Sequence, residues 1–266
     1  STRDWSSDVC SSDLIKLASM LTMLLTTTSL ILDWVGQRNP WYTTSLTLPF
    51  FLSAVIVGIL GQQVIPILQA LKTGQIIRED GPQAHLKKAG TPTMGGIFFI
   101  PVAVVVACIL SNFSQDVVAV SALTLSYGLI GWLDDWQILR RKSNKGISPK
   151  TKLALQVIFG ALFCFWLMLK GDFSITNIHL PGAGLSLPLG LLFWPLAGFV
   201  LVAESNATNL TDGVDGLAAG TVAIAIFALG VIIAPTSPDL MVFCAAVSGS
   251  CLGFLAYNRK IGRAHV

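Results

Sequence analysis

Charge is scarce in this 266-residue sequence. Asp, Glu, Lys and Arg together supply 12% of it, where a soluble domain carries about 25%. With 53% hydrophobic residues and a mean hydropathy of +0.71, the deficit excludes an ordinary water-soluble domain and indicates a chain built for lipid. Cysteine is equally uninformative as a framework. Of Cys10, Cys108, Cys164, Cys244 and Cys251, four lie inside apolar runs and none has metal-ligand spacing, which excludes a disulfide scaffold and a thiolate metal centre. The histidines, His85, His179 and His265, are scattered, so no histidine cluster is expected. A formal net charge of +3 says little by itself; the placement of the charges says more.

Long apolar runs fill most of the chain. They occur at roughly 15–35, 46–70, 95–111, 117–133, 153–169, 187–203, 214–234 and 240–257, most of them approaching the ~20 residues a spanning helix needs. Gly and Pro inside several runs are compatible with spanning helices. The expectation is an all-α, polytopic integral membrane bundle of about eight transmembrane segments.

The connecting loops alternate in charge. Lys72, Arg78, Lys87 and Lys88 lie in the 71–94 loop, and Arg140, Arg141, Lys142, Lys145, Lys150 and Lys152 in the 134–152 loop. The loops near 111–116 and 235–239 carry no Lys or Arg, and 170–186 only Lys170. By the positive-inside rule the basic loops are cytoplasmic, and counting helices puts the 204–213 segment on the same side.

Those three segments also hold the residues suited to chemistry. The stretch from Asn206 to Gly220 is expected to be a polar hinge between two apolar runs; Asn206, Asn209, Asp212 and Asp215 recur in it every third residue, and on a helical backbone they share one broad face. Carboxylates, amides and hydroxyls there suit a cation, a sugar or a nucleobase edge; a solvated, helix-capping turn is the plainer reading. Asp134 and Asp135 stand together at the end of an apolar run, where adjacent carboxylates repel and are costly to desolvate unless a hard cation binds. Basic residues before the Gly/Thr/Pro turn at 90–96, and again at 145–152, suit phosphate. The alternative there is a simple positive-inside anchor.

At this point the residues carry a resemblance. The segments GQIIREDGPQAHLKKAGTPTMGG, GLIGWLDDW, KGISPKTKLALQ, NATNLTDGVDGLAAG and GFLAYN, in order between about Thr47 and Asn258, resemble the phospho-N-acetylmuramoyl-pentapeptide transferase family. That family belongs to the polyprenyl-phosphate N-acetylhexosamine-1-phosphate transferases and has a core of ten helices. The resemblance implies a bacterial cytoplasmic (inner) membrane enzyme with its active site facing the cytoplasm. It implies transfer of phospho-MurNAc-pentapeptide from UDP-MurNAc-pentapeptide to undecaprenyl phosphate, yielding lipid I and UMP, with Mg²⁺ as cofactor. It further implies that Asp134 and Asp135 hold the metal and the polyprenyl phosphate, with Asp134 a candidate base. Asn209 and Asp212 join them in the catalytic cleft, Lys88, Thr93 and Asp215 meet the nucleotide sugar, and Lys150 and Lys152 bind phosphate. The expected partners are the two substrates and the bilayer, with a homodimer suggested by the family and no nucleic acid. A related GlcNAc-1-phosphate transferase, a transporter, a purely structural membrane protein and an inactive fragment are the alternatives. A transporter would place its acids near the bilayer midplane, whereas these cluster at one face.

The ends are expected to be foreign. One DNA string can encode Asp8–Leu14 on one strand and Ile261–Val266 on the other, so residues 1–14 and 261–266 read as adapter-derived tails flanking a transferase domain at 15–260. The family pattern continues beyond GFLAYN with an FMGD motif, whose aspartate is a metal ligand, and a histidine-rich loop. Neither occurs before Val266, so the domain is expected to be incomplete at its C-terminus and to lack the third metal ligand.

Overall fold

A computed structural model describes residues 5–73, 94–141, 146–171, 173–180, 185–211 and 217–258. Within them the chain forms eight long helices: α1 (Trp5–Val35), α2 (Thr47–Thr73), α3 (Gly96–Leu110), α4 (Gln115–Arg141), α5 (Pro149–Leu169), α6 (Phe193–Thr211), α7 (Leu217–Ile233) and α8 (Pro238–Asn258). Each coincides with one expected apolar run. Five segments are long and apolar enough to cross a membrane, while 19–35, α3 and α7 contain shorter apolar helices. The architecture is a polytopic helical membrane bundle. α1 begins before its apolar run and passes through part of the 1–14 stretch; residues 1–4 and 259–266 lie outside the described residues.

The 170–192 connection departs from the expected plain loop. It contains a short 3₁₀ turn (Phe173–Thr176), an antiparallel hairpin of β1 (Asn177–Leu180) and β2 (Leu185–Pro188), and a second 3₁₀ turn (Gly190–Leu192) leading into α6. The first residues of the 187–203 apolar run are therefore sheet and turn, not helix.

The centre of the bundle is α8. Met241, Val242, Ala245 and Ala246 are fully buried or nearly so, and α8 packs on α2, α3 and α7. Small residues set the closest approach. A side chain at Gly249 would run into the backbone of α2, with Phe50 C 2.8 Å from the added Cβ, and one turn on Gly253 faces Ala54 O at 2.7 Å. Such a stripe brings helix backbones together where apolar burial alone gives little drive, because lipid tails are as apolar as the helices. The Tyr257 hydroxyl donates to Gly58 O at the next turn.

The other face of the bundle is apolar and open. α6 has no buried residue, and Phe199, Leu162 and Phe165 are well exposed on α6 and α5, as lipid-facing surfaces are. Cys108, Cys164, Cys244 and Cys251 are free thiols, three buried and Cys108 half-buried. Among the described cysteines the reading as small packed apolar residues holds.

A buried acid fixes one end of the bundle. Asp33, on α1, is fully buried and accepts the N–H groups of Leu46 (3.0 Å) and Thr47 (2.9 Å), the Thr47 hydroxyl (2.7 Å) and Arg38 Nε (3.0 Å). The first N–H groups of a helix have no partner within it, so Asp33 caps α2 from the neighbouring helix, where the helix dipole favours an anion.

Candidate active site at one end of the bundle

The opposite end gathers the chemistry. α4 ends in Trp132-Leu133-Asp134-Asp135-Trp136, with the two indoles stacked at 5.6 Å between ring centroids. One helical turn separates them, and amphipathic aromatics of this kind sit at membrane interfaces. The two acids fall between the tryptophans in sequence and are half-buried.

Each acid holds a different loop. Asp135 Oδ2 accepts the N–H of Met94 at 3.1 Å. Met94 has φ +72°, a left-handed conformation unusual for a non-glycine residue, just before α3 begins. Asp134 Oδ1 accepts the N–H of Ile147 at 2.8 Å. The backbone can come that close because residue 146 is glycine: an added Cβ would collide with Asp134 Oδ1 and lie 2.7 Å from Cγ.

From there α5 starts under local control. Ser148 is its N-cap, its hydroxyl accepting the Thr151 N–H at 3.1 Å, and Pro149 occupies the first turn, where its missing N–H costs nothing. Lys150 and Lys152 thereby fall in the first helical turn, a position the helix dipole disfavours for cations. Lys150 is exposed. Lys152 reaches across the site, with Nζ 3.6 Å from Asp134 Oδ2 and 3.3 Å from Asn209 Oδ1.

The stretch from Asn206 to Gly220 is expected as a polar hinge. Instead α6 continues through Thr211, so Asn206 and Asn209 are helical and share the face turned to α5. Asn206 turns inward, donating to Gln156 Oε1 (3.0 Å) and Val202 O (2.8 Å); Asn209 faces Lys152. Asp212 and Asp215 lie outside the described residues, as do Lys88 and Thr93. Of the nine expected site residues, Asp134, Lys152 and Asn209 come together from α4, α5 and α6.

Gln156, Tyr127, Ser205 and Gly146 belong to this neighbourhood but escaped the reading of the sequence. Gln156 did leave a signal, being the one uncharged amide in the apolar run 153–169, one turn past Lys152.

The acids suit a hard divalent cation. Among the described residues no three His, Cys, Asp or Glu side chains stand together, but Mg²⁺ is commonly held by one or two carboxylates plus substrate phosphates. A carboxylate offers about four lone-pair positions, and Asp134 accepts the Ile147 N–H through Oδ1 while Oδ2 faces Lys152. Cations and carboxylates side by side, with a lipid-facing wall behind them, match a reaction between a charged soluble substrate and a lipid.

Comparison with known proteins agrees. The profile of Glycosyl transferase family 4 matches residues 117–266, and Phospho-N-acetylmuramoyl-pentapeptide-transferase signature 1 matches residues 88–100. The chain is 73% identical over 249 residues to the phospho-N-acetylmuramoyl-pentapeptide-transferase of Trichormus variabilis, covering 94% of this chain and 68% of that protein. The Nostoc punctiforme protein of the same name is also 73% identical, with 94% of this chain and 69% of the relative covered. That of Gloeothece citriformis is 59% identical over 244 residues, covering 92% and 67%. An integral membrane bundle with this site and these relatives belongs to the phospho-N-acetylmuramoyl-pentapeptide-transferase family.

Proposed function

We propose that the site is built for transfer of phospho-MurNAc-pentapeptide from UDP-MurNAc-pentapeptide to undecaprenyl phosphate, the reaction that forms lipid I and UMP for peptidoglycan synthesis. The observation that carries the residue assignment is the meeting of Asp134, Lys152 and Asn209 from three helices at one end of the bundle. In the reaction an oxygen of the lipid phosphate forms a new bond to phosphorus as the bond to UMP breaks. Such transfers depend on positioning and charge neutralisation more than on covalent chemistry from the protein.

Asp134 and Asp135 would hold Mg²⁺, which when bound offsets charge on the diphosphate. Lys152, set between α4 and α6, places a cation at the metal-side carboxylate; Lys150, exposed in the same helical turn, offers a second to incoming phosphate. Asp134 is the candidate base for the lipid phosphate. Asn209 and Asp212 complete the catalytic group, and Lys88, Thr93 and Asp215 take the nucleotide sugar. All eight helices span the inner membrane, this site faces the cytoplasm as the basic loops favour, and the protein works as a homodimer.

The test is direct. Supply the purified full-length protein with UDP-MurNAc-pentapeptide, undecaprenyl phosphate and Mg²⁺, and follow UMP release. Release that requires both substrates and stops with chelator supports the assignment; turnover of UDP-GlcNAc in place of the muramoyl substrate would overturn it.

A further inference from the structure

We propose that Gln156 is a positioning residue for the reaction, an amide buried in the membrane-spanning part of α5 that sets where Lys152 and Asn209 stand. The inference rests on the site reading above. Gln156 is 1% exposed and lies about 10 Å along the helix from Pro149, at 1.5 Å per residue. Both ends of its side chain are used. Nε2 donates to Ser205 Oγ at 3.0 Å, and Oε1 accepts from Asn206 Nδ2 at 3.0 Å. Its backbone carbonyl also accepts the Tyr127 hydroxyl at 2.8 Å. Tyr127 is on α4, two turns before Asp134.

The positions form a ladder between antiparallel helices. Lys152 meets Asn209, Gln156 meets Ser205 and Asn206, and Gly160 faces Leu201, whose Cδ1 lies 3.6 Å from where a Cβ would be. Each rung is four residues from the next on both helices, and residues so spaced lie on one face. The rung that carries the chemistry is thus the direct neighbour of the rung that carries the amide. Below Gln156 the interface of α5 and α6 is apolar and open to lipid, and apolar contact in a bilayer specifies neither rotation nor register well. A directional, doubly bonded amide does. An unmet polar group at this depth costs free energy, so the two helices are held to the register that satisfies both ends. That register brings Lys152 to Asn209, and the Tyr127 bond ties it to the helix bearing Asp134.

The experiment is a double-mutant cycle in the full-length enzyme. Gln156→Met keeps the volume and removes both side-chain bonds; Lys152→Ala removes the ammonium. UMP release gives kcat and KM for each substrate, and thermal unfolding in detergent gives the folded fraction. Q156M is expected to lower kcat per folded molecule about tenfold, within the usual range for residues coupled in one network, with KM for the nucleotide sugar little changed. In the K152A background the same substitution should cost almost nothing further. Ser121→Ala serves as control, because it removes a contact between α3 and α4 (Cys108 Sγ to Ser121 Oγ, 3.6 Å) away from the site; it should shift unfolding and leave kcat alone. Normal kcat in Q156M beside a crippled K152A overturns the positioning role and leaves the site intact. Independent, additive losses overturn it equally. Normal turnover by K152A overturns the site reading itself. If Q156M does not fold, Tyr127→Phe, which deletes one hydroxyl, is run through the same cycle with the same criteria.

Discussion

Lys152 Nζ stands 3.6 Å from Asp134 Oδ2, with 19% of the lysine side chain and 26% of the aspartate side chain exposed. The pair is neither solvated nor sealed. A cation in a helix's first turn works against the dipole, so its place is explained by the carboxylate in front of it and by the phosphates the site is proposed to receive.

Asp135 separates holding from chemistry. An asparagine can still accept the Met94 N–H through its amide oxygen, so Asp135→Asn should fold normally while turnover falls about 100-fold or more, as loss of metal-site charge does. Asp135→Ala also loses the tether on the 94–96 turn and should be less stable than Asp135→Asn. UMP release with thermal unfolding reads both. Near-wild-type turnover by Asp135→Asn at ordinary Mg²⁺ would remove Asp135 from the metal site.

Gly146 supplies a sharper geometric test. The added methyl of Gly146→Ala has nowhere to go without displacing the Asp134 carboxylate or withdrawing Ile147 N–H from it. The expected loss is about tenfold or more in kcat, against a stability change of roughly 1–2 kcal/mol for a small overpacked site. Unaltered kinetics would mean that the loop relaxes freely and that Asp134 needs no such cradle.

Orientation is checked by reporter fusions. Fusions after Lys145 and Asn209 should report cytoplasm, as should one after Lys88, while those near Gln115 and Pro238 should report the far side. A fusion after Asn209 on the opposite side from one after Lys145 would separate two residues whose neighbours are joined by the Lys152–Asn209 bond.

The helices were legible because burial in lipid demands apolar runs, and each run contains the greater part of one helix's apolar stretch, although the 187–203 run opens in sheet and turn. The site was legible as far as charge goes: acids and amides at a membrane boundary are costly without a purpose, which flagged Asp134, Asp135 and Asn209. What escaped depends on distant partners. Asp33 is one acid in an apolar run, and its role exists only through N–H groups 13 and 14 residues away. The hairpin at 177–188 has four-residue strands, too short for alternation to stand out. The segment beginning at Asn206 read as a hinge because its residues are polar, yet Gln156 and Lys152 supply the partners that let the helix continue.

Asp33 makes a stability prediction at the other end. Asp33→Ala removes the partner of Arg38 and uncaps α2, and breaking a buried pair in this way costs about 3–5 kcal/mol; the partly exposed Arg38 side chain puts the expectation at the low end, about 3 kcal/mol. Thermal unfolding in detergent should fall accordingly while any folded fraction keeps normal kcat, because the site lies at the far end of the bundle. Unfolding unchanged from wild type would mean that water takes over the cap.

The glycine-lined seam between α2 and α8 also has a consequence for how the molecule is made. The two halves of that seam leave the ribosome far apart in time: Tyr257 and its acceptor Gly58 are 199 residues apart, about 10–40 s of synthesis at ordinary elongation rates. Throughout that interval α2 waits in the bilayer with its future contact surface facing lipid or a chaperone, and the bundle has no centre until α8 arrives. Assembly is therefore expected to be late and all at once. Nascent chains halted before Gly249 should leave α2 open to a membrane-soluble crosslinker, and chains extended past Tyr257 should lose that reactivity in a single step.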